Sequence, residues 1–248
     1  MDKYGLLGYP LKHSFSRQFF TEKFQNEGID AQYINFEIPQ IGLLADILTQ
    51  EPELKGLNVT IPYKEQVIPF LDEISPEAKA IGAVNVIRIT HPNGKPHLKG
   101  FNSDIIGFQE SLKPLLKPHH RKALILGTGG ASKAVKVGLE QLGIETCYVS
   151  RTAGPDRITY SQLNEQTMQE YLLVVNCSPC GMFPHTDECP NIPYGLLTPR
   201  HLLYDLVYNP LETQFMKQGQ QQGATVKNGL EMLHLQAVAG WNFWNNNE

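Results

Sequence analysis

The chain has 248 residues and a formal net charge of −4, from 21 Lys and Arg against 25 Asp and Glu. That length holds one large or two modest domains, and that charge argues against nucleic acid or a membrane surface as the main partner. No apolar run approaches the about 20 residues of a membrane span, the Met1-Asp2-Lys3-Tyr4 start carries no cleavable signal pattern, and four cysteines make no disulfide framework; a cytoplasmic protein is expected.

Tyr4–Leu7 and Gln32–Ile38 read as strands, and between them Phe15, Phe19, Phe20 and Phe24 recur at helical spacing. A helix near Ile41–Leu48 continues the alternation. Strand-like Lys55–Val59 precedes Pro62, which fits the first turn of a helix running to Leu71. Ala83–Ile89 and His97–Phe101 read as strands joined by a turn around Asn93-Gly94. Ile105–Leu116 reads as a helix ending at Lys117-Pro118-His119-His120, the best candidate for a linker.

A second α/β unit starts at Lys122. Strand Ala123–Leu126, helix Ala131–Leu142, strand Thr146–Val149, a short helix and strand Leu172–Val175 follow in turn. A Pro-rich loop leads to strand His201–Leu206, helix Leu211–Gln222 and the short strand Thr225-Val226. In the last helix, Gly229–Trp244, residues Leu230, Leu233, His234, Ala237, Val238 and Trp241 share helical spacing and require a surface to cover them. The first domain is the expected one, which makes that domain discontinuous. Alternating strands and helices place the whole in the α/β class.

Gly127-Thr128-Gly129-Gly130-Ala131-Ser132 lies between a strand and a helix, where glycines let backbone N–H groups reach a pyrophosphate. Ser132 stands where the third glycine of the dinucleotide fingerprint falls, and a plain strand-turn-helix corner is the alternative. At the end of the next strand an NAD site carries Asp or Glu. Here the residues are Ser150-Arg151-Thr152, and an arginine pairs with a 2′-phosphate that a carboxylate repels. This favours NADP, against a solvated surface arginine.

Lys64 follows a Pro-capped turn near the C-terminal end of an apolar strand, and Asp104 follows another strand at a helix start. A partly desolvated lysine passes protons, and a helix dipole favours the aspartate's charge. Taken singly, the plainer readings, a surface lysine and a helix N-cap, outweigh the catalytic ones. Ser14 and Ser16 offer two hydroxyls at a strand-to-helix junction, suited to a carboxylate or to capping. Asn58, Thr60, Asn85 and Gln236 are neutral polar residues amid apolar sequence, suited to a polyhydroxylated substrate or to satisfying buried backbone. Cys177, Cys180, His185 and Cys189 come close to zinc-knuckle spacing, but Pro179, Pro184 and Pro190 restrict closure, and ordinary loop cysteines with no metal are the default.

Together these segments resemble the shikimate dehydrogenase family across nearly the whole chain. The marks are His13-Ser14-Phe15-Ser16, Asn58 through Lys64, Gly82-Ala83-Val84-Asn85, Asn102-Ser103-Asp104, Gly127 through Ser132, Ser150-Arg151-Thr152, Asn176 with Gly181-Met182, Asp205 through Tyr208, and Asn228-Gly229-Leu230 with Gln236-Ala237. The resemblance implies an N-terminal α/β substrate domain (1–104 with 229–248), a Rossmann-type NADP-binding domain (105–228) and a C-terminal helix returning to the first. It implies NADPH-dependent reduction of 3-dehydroshikimate to shikimate by a monomer or homodimer.

By matching position, Lys64 and Asp104 are the catalytic pair. Ser14 and Ser16 hold the substrate carboxylate, and Thr60, Asn85, Tyr208 and Gln236 fix ring hydroxyls. Gly127, Thr128, Gly129, Gly130, Ala131, Ser150, Arg151 and Thr152 hold the cofactor, with Gly229, Met232 and the Asn176–Met182 loop on the nicotinamide side. The chain departs from the family at Arg17, where proline is common, at Ser103 for threonine and at Ser150 for asparagine. It is also short between Arg151 and Asn176, which trims a helix. The alternatives are a quinate/shikimate dehydrogenase using NAD or NADP, and a non-catalytic metabolite sensor on the same scaffold.

Overall fold

Apolar runs too short for helices become strands, and two separate sheets result. The computed structural model describes residues 1–11 and 15–245. Its chain divides into two units, one of Met1–Ser103 joined by the chain from Gln236 onward, the other of Asp104–Leu235.

The first unit contains β1 (Asp2–Gly8), α1 (Phe15–Glu27), β2 (Ala31–Glu37), α2 (Leu44–Gln50), β3 (Leu54–Val59), α3 (Tyr63–Gln66), β4 (Glu73–Ile74), α4 (Pro76–Ile81), β5 (Val86–Thr90) and β6 (His97–Phe101). Among the described residues its sheet runs β2-β1-β3-β5-β6-β4. β1 pairs in parallel with β2 and β3, whereas β5 is antiparallel to both β3 and β6. One face is covered by aliphatic residues, among them Leu7, Leu57, Val67 and Ile87. The other is aromatic: Tyr4, Phe20, Phe24, Tyr33 and Phe101 pack with Ala237 and Trp244 of the C-terminal segment. Trp244 is buried and donates its indole Nε1–H to Ile87 O at 3.0 Å, which satisfies the one polar atom of that side chain.

The second unit contains α5 (Asp104–Leu112), β7 (Lys122–Leu126), α6 (Gly130–Gln141), β8 (Glu145–Ser150), β9 (Arg157–Thr159), α7 (Glu165–Glu170), β10 (Leu173–Asn176), β11 (Leu202–Asp205), α8 (Gln214–Gln221) and β12 (Thr225–Lys227). Its sheet runs β12-β11-β10-β7-β8-β9, parallel throughout. Strands buried on both faces read as continuous apolar runs, as Leu173–Val175 does. Phe108, Leu112, Val135 and Leu139 cover one face, and Met168, Phe215 and Met216 the other. The last helix, α9 (Leu230–Trp244), starts in this unit and ends in the first.

Several expectations are corrected. The helix expected from Pro62 to Leu71 stops at Gln66 and gives way to a 3-10 turn, Ile68–Phe70, because Pro69 brings no N–H to the helical ladder. The strand expected from Ala83 begins at Val86. Gly82, at φ 71°, closes α4, a helix not anticipated although Ser75 caps it by accepting from Ala78 N at 3.2 Å. The helix expected to reach Leu116 ends at Leu112, and Pro114 sits in the 3-10 turn beyond. Lys117–His120 is not a linker. It is a turn inside the second unit, with His120 Nε2 3.0 Å from Arg200 O, and the division falls before α5. α7, in the short segment after Arg151, is six residues long. In α9 the expected face is partly wrong: His234 and Val238 are exposed, and Met232, Ala237, Ala239 and Trp244 are buried.

Candidate active site

In the first unit, strand register brings the predicted polar residues to one end of the sheet. Asn58, near the end of β3, pairs with Val86 at the start of β5, and Val86 pairs with Phe101 at the end of β6. The segments beyond these positions carry Thr60, Lys64, Asn85, Asn102 and Ser103. Antiparallel β5 is what allows Asn85, preceding its strand, to lie beside residues that follow theirs.

Asn85 is 3 % exposed. Its Nδ2 donates to Ser103 Oγ at 3.0 Å, and Ser103 N–H donates to Asn85 Oδ1 at 2.7 Å. Ser103 Oγ is also 3.3 Å from Gln236 Oε1, to which it donates. Ser103 and Gln236 are the first-unit residues flanking the two places where the chain passes between units. Thr60 is half-buried, its N–H donating to Leu7 O at 2.9 Å. Lys64 is half-buried on α3, whose place is fixed by Val84 N–H donating to Lys64 O at 2.8 Å.

Ser16 lies on α1, and its hydroxyl bonds the phenol of Tyr33. Burial holds the Tyr33 pKa well above its ordinary value, and that phenol donates to Asn58 Oδ1 at 2.7 Å. Asn58 is thereby oriented from beneath by a residue that composition alone does not single out. Ser14 lies outside the described residues.

In the second unit, Asp104 is the first residue of α5 and is 8 % exposed. Lys64 and Asp104 thus sit in different units. The sheet order reverses between β7 and β10, and in open parallel sheets ligands collect at the C-terminal ends of strands beside such a reversal. Gly127, following β7, has φ 98° and lies against the loop after β10; a Cβ there would stand 3.3 Å from Ser178 N. Thr128, Gly129 and Gly130 are exposed, Ala131 is half-buried, and space beside Gly129 and Gly130 is open. Ser132, at the third-glycine position, turns its hydroxyl inward to donate to Gly129 O at 2.6 Å, so it tightens the turn without filling that space.

Ser150 ends β8 and folds the chain back on itself: its Oγ donates to Thr152 O at 2.5 Å and accepts from Thr152 N at 3.2 Å. Arg151 and Thr152 project into solvent beyond it, with no carboxylate at the strand end. These are the features an adenosine 2′-phosphate requires, and the open glycine turn fits the pyrophosphate. Tyr208 is 39 % exposed. Gly229 N–H donates to Val207 O at 3.1 Å, and a Cβ on Gly229 would collide with the Leu206 backbone. Met232 is buried in the core of this unit. Among the described residues no group of three or more His, Cys, Asp or Glu is placed to hold a metal ion.

Sequence reasoning missed the roles of Asp205 and Thr213. Asp205 ends β11, fully buried, and accepts from Asn176 Nδ2 at 3.0 Å, Val207 N at 3.0 Å and Thr213 Oγ1 at 2.6 Å. Burial pushes its carboxyl up to about 6, against the pull of those donors. The available signal was a carboxylate at the end of the apolar run Leu202–Tyr204, which must find buried donors.

Residues 6–87 match the family model described as the shikimate dehydrogenase substrate binding domain. A shikimate dehydrogenase (NADP(+)) of Carboxydothermus hydrogenoformans is 38 % identical over 256 residues, covering 97 % of this chain and 90 % of that one. Its counterpart from Desulforamulus reducens is 35 % identical over 261 residues, covering 97 % and 88 %. Among solved structures, shikimate 5-dehydrogenase from Thermus thermophilus in complex with NADP(H) and shikimate is 30 % identical, with a TM-score of 0.86 over 99 % of this chain and 94 % of that one. Sequence and fold agree: the chain belongs to the shikimate dehydrogenase family.

Proposed function

We propose that this chain reduces 3-dehydroshikimate to shikimate with NADPH, reversibly, as a step toward the aromatic amino acids, and that Lys64 and Asp104 handle the proton. Bound NADPH supplies the hydride. The Lys64 ammonium donates its proton to the oxygen formed at the substrate ketone, and Asp104 orients that ammonium and a ring hydroxyl. Ser14 and Ser16 hold the substrate carboxylate, while Thr60, Asn85, Tyr208 and Gln236 read its hydroxyls. Arg151 faces the 2′-phosphate, and the Gly127–Ala131 turn carries the pyrophosphate. Met232 and Gly229 flank the nicotinamide. The enzyme works in the cytoplasm as a monomer or homodimer.

The observation that carries this reading is the gathering of Asn58, Thr60, Lys64, Asn85 and Ser103 at one end of the first sheet. A polyol needs several fixed donors and acceptors, and buried amides held by their neighbours supply them. Steady-state kinetics of Lys64→Ala test it: kcat falls by at least a hundredfold with KM for shikimate within threefold, the mark of an interaction made in the transition state. Unchanged kcat removes Lys64 from the chemistry.

A further inference from the structure

We propose that Asp205 is a positioning residue for the cofactor, holding the segments that follow β10 and β11 in the arrangement that receives the nicotinamide end of the dinucleotide. The inference rests on the reading of this unit as the NADP site. Asp205 itself is fully buried and touches no part of that surface.

The carboxylate acts through three donors on three segments. Asn176 Nδ2 donates to Asp205 Oδ1, and with its side chain so fixed Asn176 Oδ1 accepts from Ser178 N at 3.1 Å and Ser178 Oγ at 2.6 Å. Ser178 in turn is the neighbour of Gly127 across the sheet reversal. Val207 N–H donates to the same carboxylate oxygen, and Val207 O accepts from Gly229 N, so the start of α9 is registered on the end of β11. Thr213 Oγ1 donates to Asp205 Oδ2 and accepts weakly from Met216 N at 3.4 Å, tying the cap of α8 to the same group. The Asn176–Met182 loop, Tyr208 and Gly229 thus share a single anchor.

A merely structural role would be filled more cheaply by a neutral side chain, because a buried carboxylate must be stripped of water. What the carboxylate adds is two acceptor oxygens able to take three donors from different directions, each bond strengthened by the charge. The titratable groups facing it, Cys177 and Cys180 from the loop after β10 and Tyr194 from the following 3-10 turn, are all pushed up by burial and carry no charge at neutral pH. Asp205 is therefore the charge around which the three segments are arranged.

The test compares wild type, Asp205→Ala and Asp205→Asn at pH 7.5. The dissociation constant for NADPH is read from nicotinamide fluorescence, and KM for shikimate from turnover. Asp205→Ala is expected to weaken NADPH binding at least tenfold while KM for shikimate stays within twofold. Asp205→Asn, which keeps one acceptor oxygen for Asn176 and Val207 but loses the charge and the acceptor for Thr213, recovers only part of that loss. A folded Asp205→Ala with unchanged NADPH affinity overturns the proposal, as does an equal rise in both constants. Should Asp205→Ala fail to fold, Ser178→Ala decides: a threefold or greater loss of NADPH affinity supports the proposal, and no change overturns it. Wild-type protein that binds NADPH without oxidising shikimate overturns the proposed reaction and leaves this comparison of affinities intact.

Discussion

Tyr33 Oη donates to Asn58 Oδ1 at 2.7 Å, joining the aromatic core of the first unit to the polar end of its sheet. Phe20 stacks on Tyr33 with ring centroids 5.0 Å apart, so the phenol has little freedom to move. Tyr33→Phe removes the donor and leaves a buried amide oxygen one partner short, at about 1–3 kcal/mol. Urea unfolding should show that loss, and KM for shikimate should rise several-fold with kcat nearly unchanged.

Arg151 is exposed at the end of β8, where Ser150 locks the turn beneath it. Arg151→Ala is expected to raise KM for NADP at least tenfold and to leave KM for NAD within twofold, because only the 2′-phosphate is lost as a partner. Equal effects on both cofactors would show that the arginine serves the turn, not the phosphate.

Gly56 lies under the Trp244 indole, and a Cβ there would collide with it. Gly56→Ala is expected to destabilise the first unit by about 1–3 kcal/mol, since the ring is held on several sides by Tyr4, Phe20 and Tyr33 and has nowhere to shift. Tryptophan fluorescence during urea unfolding reads both the midpoint and the changed indole environment.

Asp205 sets a pH dependence of stability. Its folded pKa of about 6 exceeds its ordinary 3.8, so the folded chain holds that proton more tightly. The stabilising contribution is then full below about pH 4 and lost as pH rises through 6. A pKa difference of about two corresponds to about 3 kcal/mol. Asp205→Asn, which cannot ionise, should gain on wild type by up to that amount between pH 4.5 and 7.5 in urea unfolding. A stability difference that stays constant across the range would contradict the burial argument.

Strands with apolar runs on both sides, such as β7 and β10, were legible because burial on two faces leaves few polar residues. So was the strand-turn-helix corner at Gly127–Gly130, which joins β7 to α6. The two-residue β4 and three-residue β9 were not, since neither is long enough to show a period. α4 carried its own signals in Ser75, Pro76 and Gly82, but six residues give an apolar stripe too short to read. Lys117–His120 lies inside the second unit and is not a linker because Phe108 and Leu112, which precede it, belong to the second core, a fact of packing that a local Pro-His-His turn does not reveal. The polar network around Asp205 joins Asn176, 29 positions away and brought opposite it by the parallel register of β10 and β11, to Thr213 at the cap of α8, 8 positions on.

Reduction of nicotinamide by purified, folded protein, followed by absorbance with shikimate and either NADP or NAD, tests the central claim most directly. The account predicts rapid reduction of NADP, at least tenfold slower reduction of NAD, and loss of both in Lys64→Ala. Failure to reduce either cofactor would contradict it.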